Sequence, residues 1–410
     1  MSRPQPESPP RPLPEPLRGR ETGTFTHTSI VERLPEIGRR TLAENHFPAE
    51  TAAAIEALIA EIPGAPLRPI RDPTAPDAAA WDGYFAAHQG QNWLDAPWFF
   101  AEMYFYRRIL EASGYFRAGP GWQVDPFTLQ KYRGLDASDA TSAQLAGRLS
   151  TLLEAQEPAA GLGEMFQAAL WSNQGDLSIW PVGDEEQPSH AGPAARRAHT
   201  LVDDSAAAAR LLLERPGKQV ALLLDNASYE LVADLALAAF LLGRDLAASI
   251  SLHVKSHPVL VSDALIEDVH ETVEALAESD DPAAARLGRQ ARAWLDEGRL
   301  ALHGHFFWTS PLPAWEMPAD LRQTLAAAGL VISKGDAHYR RLLGDRHWPY
   351  TTPFEAILGY FPAPLVALRA LKSEVMAGLR PEQIEAAAER DPDWLFSGRW
   401  AAIQFARPEA

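Results

Sequence analysis

From residue 219 onward the chain alternates short, unbroken apolar runs with segments of helical length, and few folds tolerate that rhythm. The runs are Gln219 to Leu224 (QVALLL), Ser249 to Lys255 (SISLHVK), Leu300 to His303, Leu330 to Ile332, Leu365 to Leu368 and Ala401 to Phe405. Runs this short and apolar suit strands buried on both faces. Between them lie an apolar helix carrying Leu231, Leu235, Ala238 and Leu242, closed by Gly243, and a charged helix around Ala283 to Leu295. Strands alternating with helices of about ten residues or more imply βαβ units with right-handed crossovers. The expectation for 200–410 is therefore an α/β, three-layer Rossmann-like domain with a mostly parallel sheet.

Upstream the rhythm is helical, and residues 25–179 are expected to form a mostly helical domain. Ile55, Leu58, Ile59 and Ile62 recur at helical spacing. Pro97 opens a dense aromatic helix (Trp98 to Leu110) that stops near Gly114. That stripe reads as core, while Asn92, Glu102, Arg107 and Arg108 are polar enough to rim a site. Residues 180–199 (Pro, Gly and charge) read as a linker. Residues 1–24, with seven prolines between Met1 and Pro16, read as a disordered tail without the apolar stretch of a signal peptide. No run is long enough to span a membrane, and the default expectation is cytoplasmic.

Composition narrows the chemistry. There are no cysteines, so thiolate nucleophiles, disulfides and cysteine-based zinc sites are excluded. The net charge of −17 argues against a nucleic-acid partner but leaves room for one local cationic pocket. No P-loop, GxSxG elbow, HExxH or glycine-rich GxGxxG turn follows the strands.

In open α/β sheets, ligands bind beyond the carboxyl ends of the strands. Asp225 and Asn226 follow the first predicted strand, and Asp263 follows the second beyond a turn at Pro258. Lys334, Gly335 and Asp336 follow the fourth, and Arg369 and Lys372 the fifth. Asp225 and Asn226 offer oxygen donors for a hard divalent ion, or one of them caps the next helix. Glu230 and Asp234, four apart on one helix face, need a nearby cation or solvent to offset their repulsion. A helix start at Gly335 beside Lys334 suits a phosphate, or is a plain strand-to-helix turn. Arg369 and Lys372 read as a phosphate clamp or as a solvated pair.

Several long segments in order carry a resemblance: WLDAPWFFAEMYFYRRI (93–109), LWSNQGDLSI (170–179), LVDDS (201–205), LLLDNASYELVADLALA (222–238), LHVKSHPVLVSD (252–263) and SKGDAHYRRLLGDRHW (333–348). The chain resembles the metal-dependent damage-control phosphatases, first catalogued as a domain of unknown function, and within them the acidic-residue methyltransferase-like branch. The resemblance implies a divalent metal (manganese, cobalt, nickel or magnesium) on Asp225, Asn226 and Asp263. It implies a sugar-phosphate pocket formed by Asp225, Asn226, Gly335, Asp336, Ala337, His338, Tyr339 and Lys372. Two positions depart from the family pattern: His338 stands where KGDxNYR has Asn, and Ala370 where RTxK has Thr.

The expected function is hydrolysis of small phosphorylated metabolites such as sugar phosphates. Asp225 and Asp336 would be catalytic, and Lys334, Arg369 and Lys372 would neutralise the phosphoryl group. The resemblance also admits an S-adenosylmethionine-dependent carboxyl methyltransferase, with Glu230 meeting the cofactor. A third reading is a sugar-phosphate binder without turnover.

Overall fold

The computed structural model describes residues 9–172 and 192–408. Among these, seven strands form one sheet in the order β1-β7-β6-β5-β2-β3-β4. They are β1 (Thr200–Asp203), β2 (Lys218–Leu223), β3 (Ala247–Val254), β4 (Leu300–Gly304), β5 (Leu330–Lys334), β6 (Leu365–Ala370) and β7 (Ala401–Ala406). The five strands from β6 to β4 run parallel. β7 runs antiparallel to β6, and β1 pairs parallel with β7. All six expected strands are present. β1 is an addition to them: four residues of intermediate to full exposure give no apolar run to read.

The alternation of each strand splits its side chains between two apolar layers. Val220, Leu222, Ile332, Val366 and Leu368 pack against the helix Ser228–Gly243 and residues of the helix Pro158–Trp171. Ala221, Leu223, Val331, Leu365 and Ala367 face the opposite layer, together with Trp93, Trp98, Phe105 and Leu17. Helices from the N-terminal half therefore cover both faces of the sheet, and the expected domain boundary divides the sequence but not the core. The expected linker lies outside the described residues up to 191, as does most of the 170–179 segment. The end of the linker forms the helix Pro193–Ala198.

Residues 9–24 correct the expectation of a disordered tail. Leu17 is 2% exposed. Its N–H donates to Asp345 O at 2.9 Å, and its carbonyl accepts from Trp98 N at 2.8 Å. Arg346 Nη1 donates to Pro14 O at 2.6 Å. Proline-rich chain stays unfolded for want of apolar anchors. Here one leucine supplies an anchor, and the extended backbone that proline favours matches two short bridges, Pro16 to Arg346 and Arg18 to Pro97.

Strand register sets the next level of organisation. Leu223 aligns with His253 on one side and Ser333 on the other, and Ser333 with Ala367. Two residues further along, Asp225, Lys255, Gly335 and Arg369 emerge at one level of one sheet edge. The chain moves outward through β3 and β4, then returns to place β5 on the other side of β2, so the order reverses between β2 and β5. That is the crevice where α/β sheets bind ligands.

The same register stacks His253 of β3 on His303 of β4, with ring centroids 5.4 Å apart. His305 accepts from Phe307 N at 2.9 Å through Nδ1 and caps a short turn. Burial, then His303 and His305, pushes His253 down to about 3. Burial also pushes His257 down to about 4, against the pull of Asp77.

Leu17→Ala empties a filled core position and should lower the unfolding free energy by about 2–5 kcal/mol in urea titration, whereas a detached tail would leave it unchanged. His253 and His257 are neutral when folded but titrate near 6.5 when unfolded. The unfolded chain thus binds more protons below that value, and stability is lost as pH falls through it. Moving from pH 7 to pH 5 should cost about 3–4 kcal/mol from these two groups, and His253→Phe should remove about half of that loss.

Candidate active site

Leu224, Asp225 and Asn226 follow β2, and the next helix starts at Ser228 with Ala227 as its cap and no side-chain capping bond. Asp225 and Asn226 are therefore not caps. Both are buried, at 3% and 4% exposure. A short antiparallel ladder zips this turn to the loop after β3. Asn226 bridges Asp263, Ala227 N donates to Ser262 O at 2.7 Å, and Ala264 N donates to Asp225 O at 2.9 Å. Leu260 and Val261 just before it take φ values of 52° and 66°, a strained conformation costing about 1–3 kcal/mol per residue. The ladder holds that strained loop so that Asp263 lies beside Asn226.

Across the crevice, β5 runs straight into the helix Gly335–Leu343. Gly335 has φ +80°, and a Cβ there would lie 1.9 Å from Asp225 Oδ2. Its backbone rests against that carboxylate, an approach only glycine permits. Asp336 lies in the first helical turn rather than at the cap. Its Oδ1 accepts from Arg369 Nε at 2.7 Å, Ser373 Oγ at 3.1 Å and Lys372 N at 3.3 Å.

A small cleft of about 40 Å³ opens where these elements meet. Asp225, Asp263, Asp336, Ala337 and Lys372 line it, as do Phe25, Arg33, Trp98, Glu102, Leu260 and Arg340. The N-terminal half thus supplies a wall of the cleft. Phe25 stacks on Phe396 (4.9 Å, 10°) and meets Trp98 edge-on at 5.9 Å. Glu374, two residues past Lys372, accepts from Phe25 N at 2.9 Å and Thr26 N at 3.1 Å. Arg340 lies 3.6 Å over the Trp98 ring and pairs with Glu102 at 2.6 Å and Asp345 at 2.8 Å. Arg33 binds the other oxygen of Glu102. Burial alone would raise Glu102, but Arg340 and Arg33 outweigh it and hold the carboxyl below its ordinary range.

Several expected site residues turn away from the cleft. Lys334 is fully buried, with Nζ 2.8 Å from Glu230 Oε1 and 2.7 Å from Asp234 Oδ1. It shares strand phase with Leu330 and Ile332 and so faces the Ser228–Gly243 helix. Lys334 is the cation that offsets the Glu230–Asp234 repulsion, and it does not neutralise a phosphate. Burial opposes its charge, yet Asp234 and Glu230 outweigh that and raise it above the ordinary lysine value. Burial pushes Asp234 up from the ordinary carboxylate range, against the pull of Lys334.

Glu230 also accepts from Asn226 Nδ2 at 2.7 Å through its other oxygen. At 3% exposure, it is placed to hold Asn226 rather than to meet a cofactor. Arg369 is spent on Asp336, on the Ser373 and Val375 carbonyls and on the Tyr339 face at 4.2 Å. Of the expected clamp, Lys372 alone lines the cleft. Tyr339 donates to Gln404 Oε1 at 2.8 Å inside the core. His338 sits behind Asp225, with Nε2 3.0 Å from Leu224 O and 3.2 Å from Lys255 Nζ. Burial, then Lys255, holds it well below its ordinary value and hence neutral.

Lys255 is a further member that sequence reasoning missed, although it follows a strand directly. Its Nζ lies 3.0 Å from Asp263 Oδ2 and donates to Leu224 O at 2.8 Å. Phe25, Arg33 and Trp98 carry no local signal, because they reach the cleft from helices distant in sequence. Of the other candidates for a rim, Arg107 pairs with buried Asp77 and Arg108 with half-buried Glu61, both at 2.8 Å, while Asn92 Oδ1 accepts from Leu94 N and Asp95 N within its own turn.

Among the described residues, no group of three or more His, Cys, Asp or Glu side chains could hold a metal ion. The expected donor set is different in kind: two carboxylates and one amide oxygen. Asp225, Asn226 and Asp263 are brought together by the ladder, and all their donors are hard oxygens. The remaining positions would fall to solvent or substrate. The gap that Gly335 leaves beside Asp225 is the space a side chain would fill. The residues present fit a hard divalent cation.

A family model described as a damage-control phosphatase ARMT1-like domain matches residues 29–387. The chain is 32% identical over 440 residues to the damage-control phosphatase ARMT1 of Danio rerio, covering 96% of this chain and 97% of that protein. It is 32% identical over 438 residues to that of Mus musculus (96% and 98% covered) and 28% identical over 440 residues to that of Homo sapiens (97% and 99%). A crystal structure of a DUF89 family protein from Pyrococcus horikoshii aligns with a TM-score of 0.46 at 12% identity, covering 86% of this chain and 95% of that one. With the family pattern running from Ser29 to Ala387 and relatives matching nearly end to end, the chain belongs to the ARMT1-like damage-control phosphatases.

Proposed function

We propose that this protein is a divalent-metal-dependent phosphomonoesterase acting on sugar phosphates or related small phosphorylated metabolites. One observation carries the reading. The oxygen donors Asp225 and Asp263, with Asn226 bridged to Asp263, share a crevice with Lys372 and with the first turn of the helix Gly335–Leu343. A cation pole and an anion pole side by side are what a phosphate monoester and its metal require.

The bound metal, manganese, cobalt, nickel or magnesium, would supply Lewis-acid polarisation of the phosphoryl oxygens. The chain does the rest. Asp225 and Asp263 hold the cation, with Asn226 as the neutral donor. The N–H groups at the start of the Gly335–Leu343 helix, with Lys372, take the phosphoryl charge. Asp336 ties the Lys372 loop down through Oδ1 while lining the cleft, and is assigned the proton transfer at the leaving oxygen. Phe25 and Trp98 offer apolar faces to the leaving group. A cleft of about 40 Å³ is well below the roughly 300 Å³ of an open ligand pocket, so the reading calls for a small substrate and a rearranged lining.

The two departures from the family pattern leave the cleft lining unchanged. His338 points to Leu224 O, and Ala370 is fully buried on β6; neither lines the cleft. The methyltransferase reading loses its contact residue, because both Glu230 oxygens are engaged within the protein.

Phosphate release from a sugar-phosphate panel should vanish on chelation and return with manganese or cobalt, and Asp263→Ala should lower kcat/KM by at least about a hundredfold. Turnover that ignores chelation sinks the proposal. Gly335→Ala pushes a methyl into the Asp225 carboxylate and should cost about a hundredfold in kcat, measured with the metal saturating.

A further inference from the structure

The amide of Asn226 can serve a cation only through its oxygen, and its two ends are gripped by different partners. Nδ2 donates to Glu230 Oε2 at 2.7 Å and to Asp225 Oδ2 at 3.0 Å. Oδ1 accepts from Ser262 Oγ at 2.6 Å, on the loop that carries Asp263. An ionised carboxylate only accepts hydrogen bonds, so Glu230 dictates that the amide presents its nitrogen inward and its oxygen toward the Asp263 side.

Glu230 is itself fixed. Its second oxygen accepts from Lys334 Nζ at 2.8 Å, and the same ammonium bonds Asp234 Oδ1 at 2.7 Å. All three side chains are nearly or completely buried, Lys334 and Asp234 at 0% and Glu230 at 3%. The chain Asp234–Lys334–Glu230–Asn226 runs from the helix Ser228–Gly243 across to the end of β5 and back to the end of β2.

We propose that Glu230, held by Lys334, is a positioning residue that sets the orientation of the Asn226 amide and thereby the metal affinity of the site. The inference rests on the metal reading above. In Glu230→Gln, the new amide faces two donors, Asn226 Nδ2 and Lys334 Nζ, with only one acceptor oxygen. If it satisfies Lys334, its own NH2 confronts Asn226, and Asn226 must rotate its oxygen inward, away from Asp263. The side chain keeps its size, and only the hydrogen-bond polarity changes.

The test uses the full chain, stripped with chelator and desalted, and reads free Mn²⁺ by electron paramagnetic resonance. Glu230→Gln should bind Mn²⁺ about ten- to a hundredfold more weakly than wild type, the usual effect of losing a partner that orients a ligand. The double variant Glu230→Gln with Lys334→Met removes the competing donor, so the introduced amide can turn its oxygen back to Asn226. It should recover most of the affinity, whereas a merely structural loss would add. Ser262→Ala releases the opposite end of the Asn226 amide and should weaken binding less than Glu230→Gln does. It decides the matter if the buried variants fail to fold, as judged by melting without metal.

Wild-type affinity in Glu230→Gln, additive loss in the double variant, or unchanged affinity in Ser262→Ala when the others do not fold would overturn the inference while leaving the metal reading standing. Wild-type protein that takes up no Mn²⁺ overturns the metal reading, and this inference with it.

Discussion

The site depends on a lysine with no contact with water. Lys334 ends the central strand β5, and its ammonium lies between Glu230 and Asp234 on the helix that follows β2. Burying three charges together costs several kcal/mol per ion in desolvation, which their attraction offsets only with close, well-formed bonds. The bonds here are short, and they tie β2, β5 and the intervening helix into one unit at the topological switch point. The residues that reach the cleft from this side are all referenced to that unit. Asn226 hangs from Glu230, Asp225 lies against Gly335, and Asp263 is zipped to Asn226 by backbone bonds.

In the opposite wall, Phe25, Arg33, Trp98 and Glu102 come from helices early in the chain and are held by long-range contacts: Glu374 to the Phe25 turn, Arg340 to Trp98 and Glu102, and Leu17 between Trp98 and Asp345. Both walls are thus locked by buried charge, Glu230–Lys334–Asp234 on one side and Arg33–Glu102–Arg340–Asp345 on the other, with aromatic packing of Phe25 and Trp98 added on the second.

Much of this is legible in the sequence. Short apolar runs mark six strands because a strand covered on both faces has no polar alternation to hide in. Asp225, Asp336 and Lys372 stand out as polar residues just past strand ends and Asp263 beyond the Pro258 turn after β3, and all four line the cleft. The rule fails where side-chain direction decides the outcome. Lys334 and Arg369 sit at strand ends like the others, but their side chains turn into the protein and meet carboxylates and carbonyls there. A period of two along a strand makes neighbouring residues face opposite layers, and nothing local says which layer holds the crevice. β1 escapes the reading because its four residues are too exposed to make an apolar run. Residues 9–24 mislead because one anchoring leucine does not change a proline-rich composition.

The class of fold, the family and the kind of chemistry are written in the amino-acid sequence. With no cysteine, any hydrolytic site must work through oxygen, nitrogen or metal, and the strand ends carry paired carboxylates close to cations. Those are properties of composition and spacing, and they hold whatever the packing. Which cation serves the cleft and which only neutralises buried carboxylates is settled by tertiary contacts. So is the wall built by Phe25, Arg33 and Trp98, residues far from Asp225 along the chain. The reason is physical: a charge is defined by its nearest counter-charge. For Lys334, Arg369 and Glu230 that neighbour lies on another element, brought within about 3 Å only by strand register and helix packing.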